Sequence, residues 1–559
     1  MDRPGAVGVM LVALLGGLSC HAQEANAVLP LRWFYVSNGL GSDEDVAKVC
    51  GLAETAAAHG LNGMVLTGGF DTIDLQPPEY LGRLARVKER CAALGIEIIP
   101  IIFSAGYGGG VLAHNMNLAE GLPVTDALFV AQGRQVVFQP DPPAEVVNGG
   151  CEEAEGDRLI GYAFHDRPGE ISFVDREVKH SGNASLRFER FGELDPQNGH
   201  ARLMQEVRVS PHRCYRVSCR LRTEGLRPAS GLRLAVYGGD DSLISAPAEL
   251  AETADWQQVS LLLNSAGYGQ LRVYVGLWGG EAGRFWVDDL EMQELGLANV
   301  LRRPGTPISV RGENGTPYEE GRDYAPIPAG RWRDEPPTES AAITLAPGSR
   351  IPDGERLRVS YYHWLPVQDS QISICMSEPE VYDIWARVAA LIHQHLAPQR
   401  YLLSMDEVRE GGSCAACRAR NLTMGEILGD CITRQMALLR ANNPQAEVLC
   451  WSDMLDPNHN CHGRYYLVEG DFAGAWEHVP PDLTIACWYY EQRDQSLPFF
   501  SGLGFRTLGA AYYDADDLEN PKGWLESLRR TPGAQGIMYT TWQDKYALLA
   551  PFGDLVSGR

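Results

Sequence analysis

Apolar runs and amphipathic stretches alternate along the chain from about residue 30 to residue 140. The runs LRWFYVSNGL, LNGMVLTGG and IEIIPIIFSAG lack a polar position at every second residue, which is typical of strands covered on both faces. Between them, DEDVAKVCGLAETAAAHG and PPEYLGRLARVKERCAALG have helical spacing and end at Gly60 and Gly95, where a helix C-terminus is expected. The pattern predicts a parallel sheet with helices on its faces.

The pattern changes between residues 146 and 295. Short alternating runs such as ASLRFERF, CYRVSCRLRTE and LRVYVGLWGG are separated by Gly, Pro and Asn, as in a β-sandwich. A second β-rich stretch, 296–372, follows it. Helix and strand patterns then alternate again from SEPEVYDIWARVAALIHQHLA, with the strands YLLSMDE, AEVLCWSDM, LTIACWYYE, FRTLGAAYYDAD and QGIMYTTWQD.

Three barrel-type strands before the insertion and five after it make eight. We therefore predict an α/β fold, a (β/α)8 TIM barrel interrupted after strand three by an all-β sandwich insertion. The predicted parts are a signal peptide (1–27), the first part of the barrel (28–145), the inserted sandwich (146–295), a β-rich connecting segment (296–372) and the second part of the barrel (373–559). The alternative is a doubly wound open sheet, although no Gly-rich dinucleotide motif follows the first strand.

The net charge indicates which partners to expect, and the N-terminal sequence indicates the location of the protein. The 559 residues carry a net charge of −24, which disfavours nucleic acid and anionic membranes and is compatible with a neutral sugar. Residues 1–27 contain an apolar run too short to span a bilayer and the small-residue site Ala25-Asn26-Ala27, so they predict a cleaved signal peptide and export to the periplasm or the extracellular space. A lipid anchor at Cys20 is the alternative, because GLSC is similar to a lipoprotein box. No later segment is long and apolar enough for a membrane span.

Acidic residues stand where the first strand after the insertion ends. The stretch QRYLLSMDEVREGG places Asp406 and Glu407 there, and two neighbours can serve one ligand only where a strand has ended, because side chains within it alternate between faces. Glycoside cleavage needs one carboxylic acid to protonate the leaving oxygen and a second group to stabilise the oxocarbenium-like centre. The pair is therefore the candidate catalytic pair, and the alternative is a helix-start acid beside a solvated loop acid.

The other strand ends of this half carry aromatic and acidic residues. Aromatic rings stack on the C–H faces of a sugar, and carboxylates bind its hydroxyls. The active site of a (β/α)8 barrel is built at these ends. The candidate substrate-binding residues are Trp451, Asp453, His459, Trp488, Tyr490, Tyr513, Trp542 and Asp544.

The segments SEPEVYDIWARVAALI, YLLSMDEV, EVLCWSDM and MYTTWQD resemble the later half of the family 20 glycoside hydrolases, the β-N-acetylhexosaminidases. The resemblance implies a retaining mechanism in which the 2-acetamido group of the substrate is the nucleophile. It implies that Glu407 is the general acid/base and that Asp406 orients the acetamide. Without that mechanism, Asp453, Glu491 or Asp544 would have to supply the second carboxylate.

The insertion has a resemblance of its own. VVNGGCEEAEG, VKHSGNASLRF and RFWVDDLEM are similar to carbohydrate-binding modules of the jelly-roll type. This resemblance implies a saccharide ligand and a structural calcium ion. The matching candidate ligands are Glu152, Glu153, Asp288 and Asp289, with Glu153 and Asp288 the preferred ones. No other cofactor and no metal in the barrel are expected.

The pair Cys414 and Cys417 lacks a second pair at zinc-finger spacing. A local disulfide or loop staple is therefore the preferred interpretation over a metal site.

Together these features predict an exported glycoside hydrolase acting on a terminal sugar of an oligo- or polysaccharide. The alternative is a non-catalytic carbohydrate-binding protein on a barrel scaffold, because fold does not determine function. A metal-dependent hydrolase using Asp453, His459 and the Cys414/Cys417 loop is a third hypothesis. The residues favour no particular oligomeric state.

Overall fold

The structure is a computed structural model that describes residues 28–332 and 336–559. The predicted leader with Cys20 lies outside the described residues. The chain divides into two compact units. The first contains the residues up to Thr67 together with Gly82–Ile99 and Pro481–Arg559, and the second contains Gly68–Leu81 and Pro100–Pro480.

Eight strands form a closed parallel barrel, which confirms the predicted number of barrel strands. In barrel order they are β1 (Leu31–Val36), β2 (Gly63–Leu66), β3 (Glu97–Ile102), β22 (Arg400–Leu403), β24 (Glu447–Trp451), β26 (Thr484–Cys487), β27 (Arg506–Tyr512) and β28 (Ala534–Thr540). The closed order argues against the doubly wound open sheet. β2 and β26 are buried at every position, as their largely apolar sequences predict.

Helices follow or precede most of these strands. The helices of the described residues are α1 (Asp43–Ala58), α2 (Pro78–Leu94), α3 (Gly109–His114), α4 (Phe191–Leu194), α5 (Pro379–Leu396), α6 (Ala415–Ala419), α7 (Met424–Asn442), α8 (Arg493–Gly502), α9 (Glu519–Arg530) and α10 (Leu549–Ser557), of which α4 lies in the inserted region. Short 3₁₀ helices span Phe70–Leu75, Met116–Leu118, Ala229–Gly231, Asp453–Leu455, Ala475–His478 and Tyr490–Gln492.

The helix ends follow the sequence signals. The side chain of Ser42 accepts a hydrogen bond from the Asp45 amide at the start of α1, and Thr423 and Glu426 form a capping box at the start of α7. Gly60 and Gly95 have φ of 82° and 70°, the left-handed conformation expected after a helix.

The region predicted as a sandwich contains two five-stranded antiparallel sheets. One has the order β15-β12-β17-β10-β9 and the other β14-β13-β16-β11-β8. The strands are β8 (Phe164–His165), β9 (Ser172–Asp175), β10 (Ser185–Glu189), β11 (Ala201–Arg208), β12 (Cys214–Arg227), β13 (Leu232–Gly238), β14 (Asp241–Pro247), β15 (Ala254–Asn264), β16 (Gln270–Leu277) and β17 (Ala282–Leu295). Residues of both sheets share one hydrophobic core, for example Phe188 of β10 and Leu203 of β11.

A six-stranded sheet has the order β19-β18-β21-β4-β5-β20. It combines β4 (Leu122–Gln132) and β5 (Gln135–Phe138) with β18 (Ser309–Gly312), β19 (Pro317–Tyr318), β20 (Ile343–Thr344) and β21 (Arg356–His363). Residues 122–138 were predicted with the first part of the barrel, but they pair here with the connecting segment 296–372. The reason is that β4 mixes buried and accessible positions, as a strand with one covered face does.

Two small sheets complete the described structure. They pair β6 (Ala154–Glu155) with β7 (Arg158–Leu159) and β23 (Glu410–Gly411) with β25 (Leu467–Val468). Across the described ranges, no helix has both the length and the apolar character needed to cross a bilayer.

Candidate active site

The acid pair lies where β22 ends. Leu403 and Met405 are buried, whereas Asp406 and Glu407 are half-buried. Glu407 has φ of 49°, a left-handed conformation that residues other than Gly, Asn and Asp seldom adopt. The chain therefore turns at the pair, and its two side chains leave the alternation of the strand.

Gly106, in the loop after β3, lies against the backbone of the pair. A Cβ atom added at Gly106 would lie 2.1 Å from the carbonyl oxygen of Asp406 and 2.7 Å from that of Glu407. Real Cβ atoms do not approach backbone so closely. A glycine at this position is therefore required for the loop to pack on the turn.

Asp406 holds a proton more strongly than an ordinary aspartic acid. Burial, reinforced by the negative charge of Asp453, raises the pKa of Asp406 to about 7. The hydroxyl of Ser404 donates a hydrogen bond to Asp406 Oδ1 at 2.8 Å, which opposes this effect without cancelling it. A carboxyl group that keeps its proton near neutral pH has the property required of a general acid.

Glu407 lies beside a buried positive charge. Arg409 Nη2 is 2.9 Å from Glu407 Oε2, and the arginine side chain is 8% exposed. The Tyr107 hydroxyl donates to the same carboxylate oxygen. Gln371 accepts from Arg409 through its side-chain oxygen and donates to the backbone carbonyl of Glu407 at 2.7 Å. A buried guanidinium needs an anionic partner, and the Glu407 carboxylate provides one.

Asp453 and His459 follow β24 and differ in their surroundings. Asp453 is fully buried, and its Oδ2 accepts from the Glu407 amide at 2.9 Å and from Asn460 Nδ2 at 3.0 Å. It therefore fixes the backbone of the acid pair. Burial lowers the pKa of His459 to about 4, so its ring is neutral at pH 7. Trp451, the last residue of β24, is buried.

Sequence reasoning missed several residues of this cluster. Arg409 stands only two positions after Glu407, so the spacing in DEVR carried a usable signal. Gln371 and Tyr107 come from 36 and 300 residues away, and no local pattern connects them to the pair. Asp71, after β2, was also missed; burial raises its pKa to about 6, and it accepts a hydrogen bond from the Phe103 amide at 2.8 Å.

The first unit carries an aromatic cluster at its strand ends. The rings of Trp488 and Tyr513 are 6.5 Å apart and within 9° of parallel. Tyr513 is 6.4 Å from Trp542, which is 5.2 Å from Tyr35. Tyr513 and Trp542 are 51% and 46% exposed. The structure thus brings three predicted residues together, of which Trp488 is half-buried and the other two are exposed rings of the kind on which sugars stack.

The backbone around this cluster is unusual. Tyr512, Tyr513 and Asp514 have consecutive φ values of 87°, 57° and 63°, all left-handed. The Asp514 carboxylate accepts from the Trp542 amide at 2.8 Å and from the Thr541 hydroxyl. Such strained conformations persist only where the surrounding contacts stabilise them, and they are concentrated at functional sites.

Tyr490 and Asp544 make different contacts in the first unit. The Tyr490 ring lies 6.3 Å from Trp524 of α9, and the guanidinium of Arg493 lies 4.0 Å from it. Asp544 forms an exposed ion pair with Lys48 at 3.0 Å. Tyr490 therefore packs on a helix, and the Asp544 pair is of the exposed kind that contributes little stability.

The predicted calcium ligands of the insertion differ in burial and in their hydrogen bonds. The buried Asp288 carboxylate accepts from the amides of His180 and Ser181 at 2.9 and 3.2 Å. Glu153 is exposed, and its amide donates to Asn148. Among the described residues, neither belongs to a group of three or more metal-ligating side chains close enough to share an ion.

Neither a protein-family model nor a curated protein sequence matches the chain. It is similar to the structure of a rhamnosidase from a Novosphingobium species, at 12% identity over 95% of this chain and 59% of that chain, with a TM-score of 0.33. It is also similar to a β-N-acetylhexosaminidase from Bacteroides fragilis (15% identity, 34% of this chain, 41% of that chain, TM-score 0.23). A further likeness is to TmCBM61 in complex with β-1,4-galactotriose (18% identity, 26% of this chain, 96% of that chain, TM-score 0.20). Because these likenesses are remote, function has to be derived from the residues of this chain.

Proposed function

We propose that this protein is a glycoside hydrolase that removes a terminal sugar from an oligo- or polysaccharide, with Asp406 and Glu407 as its catalytic pair. One observation carries the proposal: two adjacent carboxyl groups have unlike surroundings. Asp406 keeps its proton to about pH 7, whereas Glu407 lies on a buried guanidinium. In glycosidases, one carboxyl group donates a proton and a second acts as an anion. Their different surroundings give them these different roles.

In the proposed reaction, Asp406 donates its proton to the leaving oxygen as the glycosidic bond breaks. The Glu407 carboxylate, oriented by Arg409 and Tyr107, stabilises the positive charge that develops at the anomeric carbon or attacks that carbon. Water then completes the hydrolysis, and its proton restores Asp406. An N-acetylhexosamine would instead supply the nucleophile from its own acetamido group, as the family 20 resemblance implies.

The wider architecture and location are part of the same proposal. The closed barrel is proposed to be a (β/α)8 barrel interrupted after its third strand by a β-sandwich of the carbohydrate-binding-module type. The two five-stranded sheets with a common core support it. Export is supported by the sequence of residues 1–27. In the first unit, the exposed rings of Tyr513 and Trp542, with the half-buried Trp488 beside them, support sugar binding by stacking.

The test compares the wild-type chain with Asp406→Asn and Glu407→Gln on a panel of aryl glycosides, including the N-acetylglucosaminide and the N-acetylgalactosaminide. Asp554→Asn, an acid-to-amide change on α10, is the matched control. Each variant of the pair should lower kcat by about 10²-fold or more. Asp406→Asn should retain the most activity on substrates with the best leaving groups, because these need the least protonation.

The outcomes separate the hypotheses. If Glu407→Gln loses activity and its rate depends on the leaving group, while that of Asp406→Asn does not, Glu407 is the proton donor and Asp406 the carboxylate partner. Sugar binding without turnover of any glycoside would contradict the hydrolase and favour a non-catalytic carbohydrate-binding protein, for which the aromatic cluster is sufficient.

A further inference from the structure

Four side chains able to bind a metal converge in the interior of the second unit: Glu120, Cys375, Cys414 and Cys417. All four are buried, and one potential ligand atom from each lies within 4.8 Å of the others. Cys375 Sγ is 3.4 Å from Cys414 Sγ and 3.6 Å from Cys417 Sγ. Cys417 Sγ is 3.5 Å from Glu120 Oε2.

These distances match the edges of a tetrahedron around one ion. With Zn–S bonds of about 2.3 Å and a Zn–O bond of about 2.1 Å, neighbouring ligand atoms are separated by about 3.5–3.8 Å. A disulfide needs sulfur atoms at about 2.05 Å and would use only two of the three cysteines. The arrangement therefore fits the coordination shell of a single metal ion better than a disulfide with one thiol left over.

Contacts outside the four side chains orient them for this role. Glu120 Oε1 accepts from the amides of Ser413 and Cys414 at 3.1 and 2.9 Å, which leaves Oε2 facing Cys417. The guanidinium of Arg303 lies 3.5 Å from Cys414 Sγ. Hydrogen bonds of this kind fix the orientation of metal ligands. The guanidinium also offsets part of the negative charge of three thiolates and a carboxylate.

We propose that Glu120, Cys375, Cys414 and Cys417 bind one Zn²⁺ ion. Thiolates select a borderline-soft ion such as zinc, whereas calcium and magnesium prefer oxygen ligands. Four protein ligands leave no open position for water or substrate, so the ion is structural and not catalytic. Binding converts three thiols to thiolates and releases their three protons to solvent. Asp453 and His459 are not members of this ligand set.

The ion would tie the loop of the acid pair to two other segments. Cys414 follows Glu407 by seven positions in the sequence. The amide of Ser373, two positions before Cys375, donates to Glu410 at 3.0 Å. The zinc ion would thus anchor both segments from which Gln371 and Arg409 reach Glu407.

The test measures metal content and not activity, so it does not depend on the proposed hydrolysis. The full-length chain, purified without chelators, is analysed by inductively coupled plasma mass spectrometry, and a Co²⁺-exchanged sample is examined for thiolate-to-cobalt charge-transfer bands. We expect about one zinc ion per chain and cobalt bands typical of tetrahedral thiolate ligation. The zinc content of Cys417→Ser should be at least about tenfold lower than that of the wild type. Cys219→Ser, a change at another buried cysteine of the same unit, should retain it.

Three results would overturn the proposal. The first is a reduced wild-type chain that takes up neither zinc nor cobalt. The second is a Cys414–Cys417 disulfide in the native protein, detected as the loss of two hydrogens. The third is equal zinc loss in Cys219→Ser and Cys417→Ser. If Cys417→Ser does not fold, the wild-type stoichiometry and cobalt spectrum still decide. A chain with one zinc ion and no glycosidase activity would contradict only the proposed function.

Discussion

The proton held by Asp406 should be measurable through protein stability, without a substrate. An unfolded aspartic acid titrates near pH 3.9, whereas burial and Asp453 raise the folded pKa to about 7. Between these values the folded chain binds more protons than the unfolded chain, so the free energy of unfolding falls as pH rises. The stabilising contribution is fully present below about pH 4 and is lost by about pH 7.

The size of the effect follows from the shift. Each pKa unit corresponds to about 1.4 kcal/mol, so a shift of about three units corresponds to at most about 4 kcal/mol. Partial exposure of Asp406 and proton sharing with Asp453 reduce this to roughly 2 kcal/mol. Asp406→Asn has no proton to lose. Its free energy of unfolding relative to wild type should therefore rise by roughly 2 kcal/mol between pH 4 and pH 8.

The assay is denaturant unfolding followed by tryptophan fluorescence, with wild type and variant measured side by side so that other titrating groups cancel. Asp453→Asn is the informative companion, because it removes the neighbouring charge but retains an acceptor oxygen for the Glu407 amide. In that background the pH dependence caused by Asp406 should move to lower pH. If wild type and Asp406→Asn differ by the same free energy at pH 5 and pH 8, Asp406 ionises normally and the proton-donor argument fails.

Three further predictions follow from other contacts. Arg409→Gln leaves the half-buried Glu407 carboxylate without its cation and should lower stability by about 3–5 kcal/mol in thermal unfolding; a shift within error would contradict the importance of this ion pair. Trp542→Ala removes a half-exposed ring and should weaken sugar binding roughly tenfold in titration calorimetry, with an unchanged melting temperature; equal affinity would argue against stacking. Gly106→Ala forces a Cβ onto the backbone of the acid pair and should lower stability by about 1–3 kcal/mol, whereas Gly109→Ala, which meets open space, should melt like wild type; similar melting of both would refute the close approach.

The barrel strands were predictable because local sequence determines them. A strand covered on both faces is apolar along its whole length, and this signal needs no knowledge of its neighbours. The sheet that contains β4 and β5 was not predictable in the same way. β4 pairs with β21, more than 200 residues later in the sequence, and no pattern within 122–138 indicates that pairing.

The candidate sites were likewise predictable only where local sequence determines them. The Asp406–Glu407 turn was predicted from a strand that ends at two acids. The contacts that make the pair chemically unequal come from Arg409, Gln371 and Asp453, and their convergence depends on tertiary packing. A local disulfide or loop staple was the preferred interpretation of Cys414 and Cys417, because no second pair stands at zinc-finger spacing. In the structure both cysteines are free thiols. Their neighbours Cys375 and Glu120 lie 39 and 294 residues before Cys414, too far away in sequence for a local pattern to show.

The unequal surroundings also explain why two carboxyl groups can be adjacent in sequence and still differ in chemistry. At the left-handed turn, Asp406 experiences the buried negative charge of Asp453, while Glu407 contacts Arg409. The family 20 resemblance assigns proton donation to Glu407, but the Glu407 carboxylate pairs with the buried guanidinium of Arg409, whereas the pKa of Asp406 is raised to about 7. The physical environment favours Asp406 for that role. The leaving-group dependence of the two variants distinguishes these assignments, because only loss of the proton donor makes the rate depend strongly on the leaving group.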